Sequence, residues 1–249
     1  MSTTHSFPRR TLQPPTLSAT LPGQISLPAL ASALRIAVLA IAGGLPVLSI
    51  TAQVFGVIDM GTAARYLDLP LVLLAVALMV RRSTEGMWAA RGVVAGLVAV
   101  TAYDMVRLPF VAAHIWPDFF AQVGSWVIDG NGTQNLAVGY LWRYLGDGGG
   151  IAIAFFLGAA VLRLRTHIVA WAVGYGVFVW AGLIFTVAVP ADGERLLFDL
   201  TPTSLCLSLV GHLVYGATLG ACYRYAVARF GAPGSTVIEI GRLRVPALR

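Results

Sequence analysis

Two pairs of polar residues stand out because each lies inside an otherwise apolar segment. Asp104 and Arg107 are three residues apart near the middle of the third long hydrophobic run, and His212 and Tyr215 have the same spacing in the last run. An ionisable side chain at the centre of a bilayer costs at least about 2.5 to 3.5 kcal/mol on insertion scales, so each one needs a partner or a purpose. A carboxylate, a guanidinium and an imidazole could together bind a polar solute, relay protons or act as acid and base.

Helix geometry indicates that the two pairs can form one pocket. At about 1.5 Å per residue from the outer boundary, Asp104 lies roughly 15 Å deep and His212 roughly 13 Å deep. The glycine pairs at positions 92 and 96 and at positions 216 and 220 are small-residue faces that would let the third and sixth spans pack together. We therefore expect a polar pocket that opens outward. Its expected members are Tyr103, Asp104, Arg107, His212 and Tyr215.

The same residues also allow a purely structural interpretation. Asp104 and Arg107 can neutralise each other as an internal pair that fixes helix register, while His212 donates one hydrogen bond. Buried ion pairs do not require a catalytic purpose. A solute or proton site and a metal or cofactor site are the two other interpretations.

A metal site would use His114 and Asp118, which stand four residues apart, with His212 as a third ligand. Pro117 breaks the local helix, and no compact metal motif such as H-E-x-x-H or C-x-x-C is present. A haem held by two histidines is disfavoured because His114 and His212 differ in depth by roughly 13 Å. His114 and Asp118 thus remain the candidate metal ligands, and the sequence identifies no cofactor.

Composition shows which elements must position these residues. The chain of 249 residues is 57% hydrophobic and 11% charged, whereas an ordinary soluble domain is about 25% charged. Since a span needs about 20 apolar residues, the sequence predicts an all-α, polytopic membrane bundle of six transmembrane helices. The bundle occupies residues 31–230, between a disordered tail (1–30) and a basic tail (231–249), and leaves no room for a second, soluble domain.

The hydrophobic runs give approximate limits for each span. Thr201 is placed as the N-cap of the last helix, with Pro202 at its first position. The second span must include Arg65 and Asp68 at its outer end to be long enough. The predicted spans cover residues 36–57, 62–80, 92–114, 145–162, 167–189 and 203–226.

The longest connection, between the third and fourth spans, contains amphipathic segments. Residues 118–129 place Phe119, Phe120, Val123, Trp126 and Val127 on one face of a helix. This pattern is typical of a helix that lies in the membrane interface. The segment 136–144 is a candidate for a second interfacial piece, followed by flexible glycines at 148–150.

The arginines predict the orientation. With both termini in the cytoplasm, thirteen arginines lie on the cytoplasmic side and three on the outer side, as the positive-inside rule requires. All 17 basic residues are Arg, which suggests a bacterial source and hence the inner membrane. Because they lie between hydrophobic spans, the formal charge of +6 does not indicate nucleic-acid binding; the predicted partner is the lipid bilayer.

The segments 102–107 and 211–216, with Gly220 and Tyr223, resemble a group of uncharacterised bacterial membrane proteins. Those proteins pair a Y-D-x-x-R element in one span with an H-x-x-x-G element in the last. The group has no assigned activity. The resemblance therefore implies only that the two motifs belong to one site.

These observations favour a non-enzymatic inner-membrane protein. It would be an accessory subunit of a membrane complex, in contact with other subunits or a second copy, or a small-solute or proton binding module with Asp104, Arg107 and His212 at its polar centre. The alternative is an intramembrane enzyme, dependent on a metal or cofactor, in which Asp104 or His212 acts as acid or base. Residues 31–130 and 131–230 show no similarity of the kind that many transporters have.

Overall fold

The computed structural model describes residues 27–128 and 132–232, and these residues form helices and connections without a strand. Six of the helices are long and apolar enough to cross a membrane. They are Leu27–Val54, Met60–Val80, Thr84–Ala112, Leu136–Val161, Ile168–Ala188 and Pro202–Phe230, and they support the predicted multi-pass membrane protein. In chain order the helices are α1 (Leu27–Val54), α2 (Met60–Val80), α3 (Thr84–Ala112), α4 (Phe120–Ile128), α5 (Leu136–Val161), α6 (Ile168–Ala188), α7 (Gly193–Leu196) and α8 (Pro202–Phe230).

Local capping explains where two of the spans begin. Thr201 and Ser204 each accept a hydrogen bond from the other's backbone N–H, at 3.1 and 3.0 Å, so α8 begins with a capping box as well as the predicted proline. α3 begins at Thr84, earlier than the predicted residue 92, because Ser83 caps it at the Gly86 N–H. α1 includes residues 27–30, which the sequence had assigned to the tail; the rest of that tail and residues 233–249 lie outside the described residues.

The fourth span differs most from its prediction. α5 is one continuous helix over Leu136–Val161, not an interfacial piece followed by a span from residue 145. The turn Arg143–Gly150 is wider than an α-helical turn, and its glycines at 148, 149 and 150 are buried. A Cβ on Gly148 would lie 2.6 Å from a Val100 methyl carbon, and one on Gly150 would overlap the Gly43 carbonyl. These glycines therefore let α5 approach α1 and α3 closely, and the expectation of a flexible segment is wrong.

The glycine faces of the third and sixth spans do not pack on each other as expected. A Cβ on Gly92 of α3 would lie 3.1 Å from the Ala152 carbonyl oxygen of α5. A Cβ on Gly216 of α8 would lie 2.5 Å from the Ala172 carbonyl oxygen of α6. Each glycine face thus brings its helix against another span, α3 against α5 and α8 against α6.

α3 and α8 nevertheless meet through the Tyr103 side chain. The ring of Tyr103 lies over Gly211, where a Cβ would overlap it, and contacts the His212 ring edge-on at 5.1 Å between centroids. The two polar motifs of the sequence therefore come together in the fold, although a tyrosine on a glycine joins them instead of paired glycines.

The predicted helix at 118–129 is present as α4. Phe120 and Val123 are fully buried, and Gly124 packs directly on the backbone of α5 at Gly139. Part of its apolar face is therefore covered by protein. A position in the membrane interface stays a prediction.

Candidate functional site

Asp104 is the centre of a buried ion-pair network. Its Oδ1 accepts hydrogen bonds from Arg143 Nη2 at 2.7 Å and Nε at 2.9 Å, and from Arg107 Nε at 3.3 Å. Its Oδ2 accepts from Arg143 Nε at 3.2 Å. Asp104 is 1% exposed and Arg107 is 2% exposed. The negative charge of one buried carboxylate is therefore shared by two guanidinium groups inside the bundle.

A second carboxylate balances the second arginine. Arg107 Nη2 lies 3.4 Å from Asp118 Oδ1 and donates to the Tyr140 hydroxyl at 2.8 Å. The Tyr140 hydroxyl in turn donates to Asp118 Oδ2 at 2.8 Å. The four charged groups of this network, Asp104, Arg107, Asp118 and Arg143, therefore sum to zero.

Arg143 is the member of the network that the sequence did not reveal. Its guanidinium lies between two aromatic rings, 4.5 Å from the Tyr103 centroid and 4.6 Å from the Phe120 centroid. Stacking of this kind stabilises a buried guanidinium. Nε and Nη2 are bound to Asp104, whereas Nη1 has no hydrogen-bond partner among the residues that the structure describes.

A signal for Arg143 existed in the sequence. Tyr140, Trp142 and Tyr144 suggested a membrane interface, where an arginine needs no partner. A helix that continues through the glycines into the following apolar run places Arg143 inside a span. An arginine there requires a carboxylate partner, and Asp104 is the carboxylate nearest the middle of another span.

A cavity of about 480 Å³ lies beside this network, between α1, α3, α5, α6 and α8. Four of the five expected pocket members line it, while Asp104 lies behind the arginines and does not. Apolar side chains form most of the wall. The principal polar residues of the lining are Tyr103, Arg107, Arg143, Asp147, His212 and Tyr215, and the apolar ones include Val47, Leu48, Phe178, Val179 and Leu183.

His212 presents a hydrogen-bond acceptor to the cavity. Its Nδ1 lies 2.8 Å from the Ser208 carbonyl oxygen, which can only accept, so Nδ1 carries a proton. In the neutral ring Nε2 is then an acceptor, and within the described part of the chain it has no hydrogen-bond partner. Tyr215, by contrast, donates its hydroxyl to the Gly148 carbonyl at 2.7 Å and is already satisfied.

Asp147 supplies a second unsatisfied acceptor. It lies one turn after Arg143 in the wide turn of α5 and lines the cavity. Its Oδ1 is buried, and no residue in 27–128 or 132–232 bonds to it. Buried polar atoms nearly always have a partner, so Asp147 is a residue of the cavity lining whose hydrogen bonding the described residues leave incomplete.

The cavity opens sideways, towards the apolar outer surface of the bundle. α1 and α6 meet near one end through a hydrogen bond between Thr51 and Thr186, 3.0 Å between hydroxyl oxygens. Further along the same helices, Leu48 is 61% exposed and Phe178 is 72% exposed, although both line the cavity. The apolar part of the cavity is therefore continuous with the apolar outer surface.

The candidate metal ligands are not brought together with His212. His114 lies beyond the end of α3, in a left-handed conformation with φ of 55°, and is exposed. Asp118 is bound by Arg107 and Tyr140. Residues 27–128 and 132–232 contain no group of three His, Cys, Asp or Glu side chains that could hold a metal ion. A metal at His114 and Asp118 stays a prediction.

An exposed pair outside the spans offers a comparison for the buried network. Arg195 Nε donates to Asp192 Oδ1 at 3.0 Å, with the same three-residue spacing as Asp104 and Arg107. This hydrogen bond and the charge of Arg195 lower the pKa of the Asp192 carboxyl. The two pairs differ mainly in burial, which makes Asp192 a matched control.

Residues 87–231 match the sequence profile of a family of unknown function, DUF6789. The chain belongs to this family. The DUF6789 segment includes α5, α6, α8 and most of α3, and with them the whole ion-pair network, Asp147 and His212. α1, which supplies one wall of the cavity, precedes it. No curated protein and no solved structure matches the chain.

Proposed function

We propose that this DUF6789 protein binds a neutral, lipid-soluble small molecule in the cavity beside the Asp104 network. The observation that carries the proposal is a cavity with apolar walls whose polar residues include three groups with unused hydrogen-bonding capacity. These groups are Arg143 Nη1, His212 Nε2 and Asp147 Oδ1. Such binding is a specific form of the solute-binding module that the sequence suggested. In this proposal Asp104 lies behind the site and acts as a positioning residue for Arg143.

The polar groups determine what the ligand must carry. Arg143 Nη1 donates, so it needs an oxygen acceptor; His212 Nε2 and a carboxylate at Asp147 accept, so they need a hydroxyl or amine donor. The network of two arginines and two aspartates is already neutral. An anionic ligand would bring an uncompensated charge into the bundle, next to Asp147. A neutral molecule with carbonyl and hydroxyl groups at one end and an apolar body fits best.

Lateral access follows from the same geometry. A molecule dissolved in the bilayer would enter between Leu48 of α1 and Phe178 of α6, without crossing a polar surface. Its apolar body would remain against side chains such as Val47, Val179 and Leu183. The hydrogen bond between Thr51 and Thr186 joins the two helices at one end of this opening.

The arginine distribution supports an orientation of the protein in the membrane. With both termini in the cytoplasm of a bacterium, the ends of α2, α5 and α8 face the cytoplasm in the inner membrane. The accessory-subunit interpretation stays a prediction, which co-purification of other chains would test.

A glycine substitution that fills the cavity tests the proposal. Gly182 lines the cavity, and a Cβ built there meets nothing within 4 Å. Gly174 lies on the same helix, also has open space around it and does not line the cavity. Gly182→Leu and Gly174→Leu therefore form a matched pair that differs mainly in whether the cavity is filled.

The experiment is organic extraction of each purified variant, followed by mass spectrometry of the extract. We expect a neutral, oxygen-bearing amphiphile in about one copy per chain in wild type and Gly174→Leu, and its loss in Gly182→Leu. Equal content in all three proteins, or only bulk phospholipid in the proportions of the membrane, would contradict the proposal.

Acid–base catalysis on the bound molecule is a second candidate function. Its acid and base would be Asp147 and His212, which line the cavity, and not Asp104, whose two oxygens are occupied by arginines. An enzyme would convert the extracted molecule on prolonged incubation, and Asp147→Asn would stop the conversion. Recovery of the molecule unchanged from wild type would contradict catalysis and leave the binding proposal intact.

A further inference from the structure

A second pocket, of about 300 Å³, lies where α5 and α8 end and α6 begins. Three arginines line it, Arg163, Arg165 and Arg224, and all three are exposed. The remainder of its lining is mostly apolar, with Leu164, Ile168 and Val227 among the members. A basic rim over an apolar wall is suited to a ligand with an anionic head and an apolar chain.

The electrostatic surroundings make this end of the bundle strongly positive. Because successive spans run in opposite directions, the pocket is at the same end as Arg81 and Arg82 between α2 and α3. Within the described part of the chain, the acidic residue at this end is Glu85. It is 1% exposed and is bound by Arg35 and by Ser32. No exposed carboxylate among those residues is therefore available here to neutralise Arg165 and Arg224.

The start of α6 adds donors for an anion. Ile168, its first residue, lines the pocket, and the N-cap residue His167 makes no side-chain capping bond. The first backbone N–H groups of a helix lack partners within the helix and favour a negative charge. Arginine side chains and a helix N-terminus are the groups that most often bind phosphate in proteins.

The depth of the pocket favours a lipid over a soluble phosphate. It lies at the ends of three spans, and the predicted topology places these ends where the hydrocarbon core gives way to headgroups. We infer that it binds the headgroup of an anionic phospholipid, with the phosphate at the arginines and the first part of an acyl chain against Leu164, Ile168 and Val227. This site is separate from the cavity beside Asp104 and does not depend on its function.

The test is native mass spectrometry of the full chain in neutral detergent, titrated with phosphatidylglycerol. Phosphatidylcholine and inorganic phosphate are titrated in parallel. Each arginine near an anionic lipid contributes about a five-fold increase in affinity. Arg165→Gln with Arg224→Gln should therefore weaken phosphatidylglycerol binding about 25-fold. Arg81→Gln with Arg82→Gln removes the same charge from the same end, outside the pocket, and should retain most of the binding.

The outcomes are distinct. Saturable binding of one phosphatidylglycerol, lost in the pocket variant and retained in the control variant, supports the inference. Equal losses in both variants would mean a general attraction to the positive end and would overturn it. Saturation by inorganic phosphate at matched concentration, or equal binding of phosphatidylcholine, would also overturn it. Because both pairs of arginines are exposed, neither variant removes a buried contact on which folding depends.

Discussion

Asp104 should be more important for stability than either of the arginines it binds. Asp104→Asn removes the negative charge that faces both Arg107 and Arg143 while nearly preserving the shape of the side chain. Arg107 keeps Asp118 and the Tyr140 hydroxyl. Arg143 loses its ion-pair partner and is left with the rings of Tyr103 and Phe120. The substitution therefore leaves a buried guanidinium without its hydrogen-bonded counter-charge.

The expected loss of stability follows from this difference between Arg107, which keeps a carboxylate partner, and Arg143, which loses its ion-pair partner. Removing one partner of a buried ion pair costs about 3 to 5 kcal/mol, because the other charge stays buried. Arg143→Met, by contrast, leaves Asp104 with Arg107 as a partner, and the loss of satisfied hydrogen bonds costs about 1 to 3 kcal/mol. Replacing both partners, as in Asp104→Leu with Arg143→Met, should recover part of the loss because apolar side chains of similar volume can substitute for a buried pair.

The assay is the free energy of unfolding in mixed micelles, measured by titration with a denaturing detergent and followed by circular dichroism. Asp192→Asn is the control, because it removes a carboxylate from an arginine pair of the same spacing that is exposed to solvent. It should leave stability unchanged within error, since exposed pairs contribute little. If Asp104→Asn destabilises no more than Arg143→Met, the account of one carboxylate shared by two buried arginines is refuted.

Three further predictions concern the cavity. Asp147→Asn should leave the free energy of unfolding unchanged or raise it, because a neutral amide costs less to bury than a carboxylate whose Oδ1 lacks a partner among the described residues, yet it should weaken ligand retention; lower stability would contradict this. His212→Gln should reduce the retained amphiphile several-fold, since one hydrogen bond contributes about 0.5 to 1.5 kcal/mol, and unchanged content in the extract would exclude Nε2 from the site. Gly44→Leu should fold normally and displace the ligand, because Gly44 lines the cavity with open space beside it; retention of the ligand, measured by mass spectrometry, would mean that the ligand lies elsewhere.

The spans could be predicted because they depend on local composition. A run of about 20 apolar residues is nearly sufficient evidence for a membrane helix. The same locality explains why the Asp104–Arg107 pair was visible, since residues three apart share a helix face. The depth argument that placed His212 near Asp104 also needed only helical rise and the assumption that the two helices pack together. The contact between Tyr103 and His212 is the form that this packing takes.

Arg143 and Asp147 were missed for a different reason. Both lie in the turn Arg143–Gly150, where the helix is wider than normal and contains four glycines. Glycine-rich sequence usually indicates a flexible connection or the end of a helix. Here each missing side chain allows another helix to approach, and that requirement is set by residues about 50 to 100 positions away, such as Val100 and Gly43. Single-sequence patterns carry no information about such distant contacts.

The glycine pairs are a second case in which the sequence does not identify the contacting helix. The spacing at positions 92 and 96 correctly indicated a close helix contact, but small-residue motifs do not specify which helix makes it. The partners are α5 for α3 and α6 for α8. Instead, α3 contacts α8 through side chains such as Tyr103 on Gly211 and Trp88 on Tyr223, for which no spacing rule exists.

The most direct test of the central claim is an experimental structure of the full chain purified with its native lipids. The account predicts an elongated molecule in the cavity, with oxygen atoms within about 3.2 Å of Arg143 Nη1 and His212 Nε2, and an apolar body that leaves between Leu48 and Phe178. A cavity that holds only water, or an acyl chain that enters without placing a polar atom near Arg143, would contradict it.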